Sequence, residues 1–521
     1  MIGRLRNLTL GALGLAFVPF APAPALADIY GLVVGIDRYE HLPVLAGAVN
    51  DARDIEDALG RVGAKKVITL IDGEATRDRI MAAWNEITAA AVPGDTVVFT
   101  YAGHGGQEPE KVKGSEADGL DEAFQLAGFQ HTRPGNRERI LDNEINLMFA
   151  KARHLKIIFV ADSCHSGTMT RSFDNRAGTL RTRLGGYGEI IDDPLPPPNP
   201  NVAKLDVEDL DNVVYFGAVR DDQVAQEFKI EQKARGLLSW SFARAMRGGG
   251  DIDGDGFVNT SELSTYLTEN VRTKSEGRQY PQMTPRGKPA EVSIRVAPEA
   301  PAERDLPAAV SIINAAAADA LTGELQNTVA AKTDLADLIW DFATGDIITS
   351  SGDVLARIGP SARPARAQGV IDKWLLLRDI AKLSEKRPLS LRVGPDDSLH
   401  RAGSQVTISV SGQQHDKLIV FNLAVDGTVQ YLIPVHHDPN PHYRGQLVPG
   451  ETLEFPLKVV PPFGADHLIA LSAPRVNHAL IDALNSLNGR KAAGEGRVLI
   501  RELLKGETFQ LGQVGLFTTE R

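Results

Sequence analysis

One thiol occurs in 521 residues, in the stretch VADSCHSG at Val160–Gly167. Cys164 stands two residues after Asp162 and directly before His165. A second candidate reagent, His104, sits in AGHGG. Each follows an apolar run, KIIFVA (Lys156–Ala161) for the cysteine and TVVFTY (Thr96–Tyr101) for the histidine. A thiol is nucleophilic near neutral pH only when a base or a favourable field takes its proton. Two parallel strands would deliver His104 and Cys164 side by side at the carboxyl edge of a sheet. Glycines around His104 let a substrate backbone approach closely. The amides of Gly105 and Cys164 are then candidates to cradle an oxyanion. From the residues alone the thiol has three readings: buried filler, partner for another chain, or reagent.

The elements that must position these residues alternate along the first half. YGLVVGI (Tyr30–Ile36), KVITLI (Lys66–Ile71), TVVFTY, KIIFVA and VVYFGA (Val213–Ala218) are continuous apolar runs, the pattern of strands covered on both faces. Amphipathic stretches at Asn50–Gly60 and Thr76–Ala91 separate them, and AEVSIRV (Ala290–Val296) is expected to close the series. The fold class is α/β, with a mostly parallel sheet of six strands flanked by helices. Residues 168–212, with PLPPPNP at Pro194–Pro200, break the alternation and read as an exposed, mobile insertion. Residues 297–388 read as a linker followed by a helical and mixed region, Ala-rich and helical to about Gln326. Residues 389–521 turn β-rich, with LSLRV, QVTISV, KLIVFNLAV, VQYLIPV and HLIALSA, then a helix over Arg475–Leu487 and a last strand.

The chain opens with Arg4 and Arg6, an apolar run over Leu8–Phe20 and ALA at Ala25–Ala27. This is the pattern of a secretory leader over residues 1–27, cut before Asp28. The run is too short and too interrupted by Gly and Pro to span a bilayer comfortably. A periplasmic or secreted protein is expected, with no membrane span. The net charge of −11 becomes −13 once Arg4 and Arg6 are removed. An acidic chain without a basic block is a poor nucleic-acid binder.

The chain resembles the caspase-like cysteine peptidases, of the bacterial metacaspase-like type. The resemblance rests on YGLVVGIDRY (30–39), LAGAVNDARDIEDAL (45–59), YAGHGGQ (101–107), DGLDEAF (118–124), ILDNEI (140–145), IIFVADSCHSG (157–167) and GLLSWSFARAM (236–246). Their order covers 29–296 and implies a peptidase domain over residues 28–296. It implies a His104–Cys164 dyad, with His165 only shaping the turn. It also implies an acidic specificity pocket made by Asp51 and Asp162, and so cleavage after Arg or Lys, whose cationic side chains form charge-assisted hydrogen bonds with carboxylates. Asp51 has a second reading, as a helix-start residue or N-cap. The family's regulatory Ca²⁺ cluster is matched by Asp118 and Asp142 alone. Asn143 and Arg171 stand where acids are usual, so that cluster is not expected to be intact.

A separate motif, DIDGDGFVNTSE (Asp251–Glu262), fits the EF-hand loop in full. Asp251, Asp253, Asp255, the Phe257 carbonyl, Asn259 and Glu262 would supply the oxygens for Ca²⁺. The other reading is a DG-rich turn that caps the following helix. The dyad itself requires no cofactor. Arg171, Arg181 and Arg183 lie in the insertion, where a basic-specific protease would nick itself; exposed loops also simply tolerate arginine. The β-rich end resembles a domain of unknown function appended to such peptidases, expected as a β-sandwich-like domain that binds an envelope protein rather than reacts. His436, His437 and His442 suggest a metal, against turn chemistry in the surrounding Asp-Pro-Asn-Pro. The expected function is a cysteine endopeptidase acting on protein or peptide substrates. The rival is a catalytically silent recognition or scaffold protein of the cell envelope.

Overall fold

The computed structural model describes residues 27–520 apart from 117, 165–180, 199, 201–205, 221–222, 231–232, 276–277, 286–289, 298–306, 334–335, 350–353, 385–386, 396–399, 435–444 and 447. All but the last residue of the expected leader, His165, Arg171 and the histidines at 436, 437 and 442 lie outside the described residues.

The chain runs β1 (Ile29–Gly35), α1 (Ala48–Arg61), β2 (Lys66–Ile71), α2 (Arg77–Ala90), β3 (Thr96–Ala102), β4 (Gly105–Pro109) and β5 (Leu120–Gln125). It continues through β6 (Arg139–Leu141), α3 (Asp142–Lys151), β7 (Lys156–Asp162), β8 (Leu184–Tyr187), β9 (Val213–Gly217), β10 (Glu227–Ile230) and β11 (Lys233–Gly236). Then come α4 (Leu237–Arg244), β12 (Phe257–Asn259), α5 (Thr260–Lys274), β13 (Gln282–Thr284) and β14 (Ser293–Arg295). Six strands form one sheet in the order β13-β9-β7-β3-β1-β2, parallel except for β13. Continuous apolar runs make these strands because both faces are buried. Phe99 and Tyr101 of β3 join one core, with Trp84 and Ile87 of α2 and Phe149 of α3. Val98, Val33, Ile158 and Val160 join the other, with Ile55 and Leu59 of α1, Phe242 of α4 and Leu267 of α5.

The sixth strand is not the expected one. β14 pairs antiparallel with β12, away from the main sheet. Its neighbourhood alternates: Val292, Ile294 and Val296 are buried, while Glu291, Ser293 and Arg295 are exposed. That suits a strand with one wet face rather than a place in a doubly covered sheet. The sheet is instead closed by the short antiparallel β13.

Part of the insertion is built into the fold. Of its described residues, 184–187 form β8, which adds parallel to β4 in a second sheet of order β6-β5-β4-β8. Arg183, one residue earlier, is fully buried. Main-chain pairing pins this stretch, while Tyr187 stays exposed.

Residues 308–357 hold a five-stranded sheet whose first strand, Ala308–Ile313, falls where an Ala-rich helix was expected; the helix Ala318–Gly323 and the short strands after it fit the helical and mixed region. VSII within Ala308–Ile313 overrides the alanines, because β-branched residues favour a strand. A 21-residue helix, Pro364–Ser384, follows. The C-terminal part is a sandwich with a helical coat. A three-stranded sheet (390–394, 405–411, 453–458) faces a five-stranded one (400–401, 510–519, 465–473, 417–423, 429–433). The far face of the larger sheet is covered by residues of Pro364–Ser384, His478–Leu487 and Ala493–Leu504. The second of these begins three residues later than expected, capped by the Asn477 side chain. Among the described residues no helix is long and apolar enough to cross a membrane.

Candidate active site

The register of β3 against β7 pairs Ala102 with Asp162. His104 and Cys164 therefore leave the sheet two residues beyond the same rung. Both are fully buried. His104 is held tightly. Its Nε2 lies 2.7 Å from the Pro43 carbonyl, which requires the proton on that nitrogen. Its backbone N–H donates to the Tyr39 hydroxyl at 2.7 Å, and the two rings lie 4.6 Å apart. Nδ1 is buried and has no hydrogen-bond partner. Burial also holds the imidazole pKa below its ordinary value, partly offset by the Pro43 carbonyl. A neutral ring with a free Nδ1 lone pair is the form that accepts a proton.

Cys164 rests against Ala225. Its Sγ accepts the Ala225 N–H at 2.7 Å and lies 3.6 Å from the Ala225 carbonyl. Burial, partly offset by the Ala225 amide, pushes the thiol up to about 12 from 9.0. At pH 8 the thiolate fraction is then on the order of 10⁻⁴. The sign is clear: the docked thiol keeps its proton through pH 9 and yields it only above. In a chain held uncut by His104→Ala, alkylation of Cys164 by iodoacetamide should climb about tenfold per pH unit from pH 8 to 11. A plateau reached by pH 9 would show an exposed thiol instead.

What covers the site is the chain itself. The Arg183 carbonyl accepts hydrogen bonds from the Gly105 amide at 3.1 Å and the Cys164 amide at 3.3 Å. These are the two amides expected to face an oxyanion. Upstream, the segment pairs with 225–227. Arg183 N–H donates to the Ala225 carbonyl at 2.9 Å, Thr182 bridges Gln226 in antiparallel fashion, and Glu227 N–H donates to the Arg181 carbonyl at 2.9 Å.

The Arg183 guanidinium enters a fully buried acidic pocket. Nη2 lies 2.5 Å from Asp51 and 3.4 Å from Glu227, and Nη1 lies 3.0 Å from Asp162. The start of α4 fixes two of these acids. Gly236 N–H donates to Asp51 at 3.0 Å, and Ser239 N–H donates to Asp162 at 2.8 Å. Amides of a helix start are unpaired donors that suit carboxylates. Gly236 is also the pocket wall: a Cβ there would lie 2.2 Å from Asp162 and 2.4 Å from Arg183. Glu227 is tied by Ala46 and Gly47 amides at 2.9 and 2.8 Å. Burial opposes the guanidinium charge, but Asp162, Asp51 and Glu227 outweigh it and hold the Arg183 pKa well above its usual value. Asp51 caps nothing on its own helix; its carboxylate belongs to the pocket.

Asp51 and Asp162 were legible from their motifs. Glu227, Pro43, Tyr39 and Ala225 were not, because they work through loops remote in sequence. Arg183 was one of four arginines in the insertion, and nothing in its neighbourhood except the glycines after it sets it apart.

The loop at Asp251–Glu262 brings carboxylate oxygens of Asp251, Asp253 and Asp255 within 4.8 Å of one another. Its flanks are helical, α4 before and α5 after. Glu262 is turned inward: Oε1 accepts from Ile252 and Asp253, Oε2 from Asn259, and Asn259 caps α5 in return. Three of the six expected groups thus converge, while Glu262 and Asn259 use their oxygens as a capping box. Asp142 is buried near Glu122, Glu116 and Asp121, and burial first, then those carboxylates, raise its pKa well above the usual value.

A family model for the caspase domain matches residues 30–289. Metacaspase-1 of Emericella nidulans is 23% identical over 288 residues, 47% of this chain and 69% of that protein. Metacaspase-1 of Pyricularia oryzae is 24% identical over 297 residues, 49% of this chain and 70% of that protein. A crystal structure of a Geobacter sulfurreducens protein aligns with a TM-score of 0.36 and 19% identity, over 53% of this chain and 95% of that one. The sheet order, the motifs on its strand ends and the family match agree: over residues 30–289 the chain is a caspase domain, a member of the caspase-like peptidase family.

Proposed function

We propose that the chain is a cysteine endopeptidase that cleaves after a basic residue, with Cys164 as nucleophile and His104 as base, and that its own Arg183–Leu184 bond is its first substrate. One observation carries this reading. Arg183 lays its carbonyl on the Gly105 and Cys164 amides while its guanidinium sits among Asp51, Asp162 and Glu227. Main chain and side chain of one residue thus meet both halves of a peptidase site. Arginine should outrank lysine, because a planar fork engages several carboxylates at once and an ammonium does not.

The reaction begins when the thiol turns from Ala225 and gives its proton to His104 Nδ1. Sγ then bonds to the Arg183 carbonyl carbon, and the oxyanion is held by the two amides. The C–N bond breaks as His104 returns the proton to the Leu184 nitrogen. Water, losing a proton to His104, hydrolyses the thioester. The products are an Arg183 carboxylate, a free Leu184 amine and the restored thiol. We assign the protein to the periplasm or the cell exterior on its leader-like first 27 residues, and any Ca²⁺ at Asp251–Glu262 to a structural role.

The test is direct. The purified chain and Cys164→Ala are compared by N-terminal sequencing of fragments and on fluorogenic peptides ending in Arg, Lys or Asp, with and without Ca²⁺. The wild type should yield a fragment beginning LGGYGE and turn over Arg peptides, then Lys peptides, and Cys164→Ala should do neither. Absence of any Cys164-dependent cleavage would favour the silent recognition protein, for which the same closed geometry would be permanent. Turnover of Asp peptides alone would sink the acidic pocket.

A further inference from the structure

We propose that Gln125 forms a prime-side subsite that admits only glycine at the second residue after the scissile bond. The inference rests on the reading of Arg183–Leu184 as the bond cut, which makes Gly185 that second residue. Gly185 lies in β8, whose partner β4 starts directly after His104. A Cβ built on Gly185 would lie 1.6 Å from Gln125 Oε1, 2.8 Å from its Cδ and 3.2 Å from His104 Cβ. Contacts below 3.0 Å do not occur for real side chains. The Gly185 backbone is not in the left-handed region that excludes other residues, so what excludes a side chain there is the Gln125 amide, which would have to move. Gly186, by contrast, has φ +97° and is glycine for its backbone.

Gln125 is not free to step aside. It is 2% exposed, at the end of β5. Its main chain is fixed on both sides: Gln125 N–H donates to the His104 carbonyl at 3.0 Å, and the Tyr101 hydroxyl lies 2.6 Å from the Gln125 carbonyl. Its side-chain amide fills the gap between two glycines on neighbouring strands, since a Cβ on Gly106 would lie 2.3 Å from Gln125 Nε2. Oε1 is buried with no hydrogen-bond partner. A buried acceptor left open costs free energy unless something fills its place. Here it points at the strand that carries the leaving amine. The same group therefore screens for a bare backbone. The substrate class is an extended segment of the form Arg-x-Gly, cut between Arg and x. Hydrolysis consumes one water and releases a carboxyl-terminal Arg and an amino-terminal x-Gly.

The experiment follows self-cleavage in a cell-free translation time course for the wild type, Gly185→Ala, Gln125→Ala and the double variant. Gly185→Ala should slow the cut after Arg183 by about tenfold or more, the scale of an overpacked contact. Gln125→Ala in the same chain should restore most of the rate. Wild-type speed in Gly185→Ala overturns the subsite and leaves the arginine reading standing. A double variant as slow as Gly185→Ala removes the assignment to Gln125. A wild-type chain left uncut after Arg183 removes the reading beneath the subsite, and the subsite with it. Where truncating Gln125 costs the fold, wild-type enzyme is given quenched peptides containing Thr-Arg-Leu-Gly-Gly and Thr-Arg-Leu-Ala-Gly. The first should be cut at least about tenfold faster, and equal rates reject the proposal.

Discussion

In a chain held uncut by His104→Ala, the further change Arg183→Ala should speed alkylation of Cys164 at pH 8 by two to three orders of magnitude. Two effects act together. With the guanidinium gone, Asp51, Asp162 and Glu227 share a dry pocket with no cation. Leaving buried charges without their partner costs about 3–5 kcal/mol. The segment 181–187 relieves that cost by undocking, which lets water reach the acids. The same movement uncovers the thiol. A pKa falling from about 12 towards the ordinary 9.0 raises the thiolate fraction by up to about 10³. Cys164 is the only cysteine, so mass spectrometry counts the label without ambiguity. Unchanged labelling would mean that Arg183 does not hold the segment down.

The second large effect concerns selection. Asp162→Ala should lower kcat/KM on Arg peptides by about 10²–10³ and erase their advantage over peptides ending in leucine. Asp162 faces Nη1 at 3.0 Å and is itself anchored on Ser239. Loss of one partner of a buried charge pair costs about 3–5 kcal/mol, and each 1.36 kcal/mol is tenfold in rate. Glu227→Gln should cost about tenfold or less. It stands farther from the guanidinium, at 3.4 Å, and two loop amides already satisfy its oxygens. Measuring kcat/KM for both variants on Arg, Lys, Leu and Asp peptides ranks the three acids. An Asp162→Ala enzyme that still prefers arginine would reassign the pocket.

The sequence carried the peptidase sheet well because its strands are unusual: unbroken apolar runs demand two covered faces. It carried Cys164, His104, Asp51 and Asp162 because each sits at a strand end or helix start with a recognisable neighbourhood. It misplaced Ser293–Arg295, whose alternation was read as one more buried run. It missed the strand at Ala308–Ile313, where alanine composition outweighed a short β-branched core, and the helix at Ala493–Leu504, whose glycines lower its local signal. Arg183 illustrates a deeper limit. An exposed arginine and a fully buried one in an acidic pocket are identical in one-dimensional text. Only the pairing of 181–183 with 225–227 tells them apart, and that contact spans more than forty residues.

The strand at Gln510–Thr519 lies inside the five-stranded C-terminal sheet, between 400–401 and 465–473. That sheet cannot close until its interior strand has left the ribosome. The peptidase sheet, by contrast, is complete once β13, which ends at Thr284, has emerged. At about 5–20 residues per second, the 235 residues from Thr284 to Thr519 take roughly 12–47 s to synthesise. During that interval a finished peptidase sheet trails a C-terminal sheet still lacking a strand, so the order of synthesis gives the self-cleavage proposed above a head start over assembly of the sandwich.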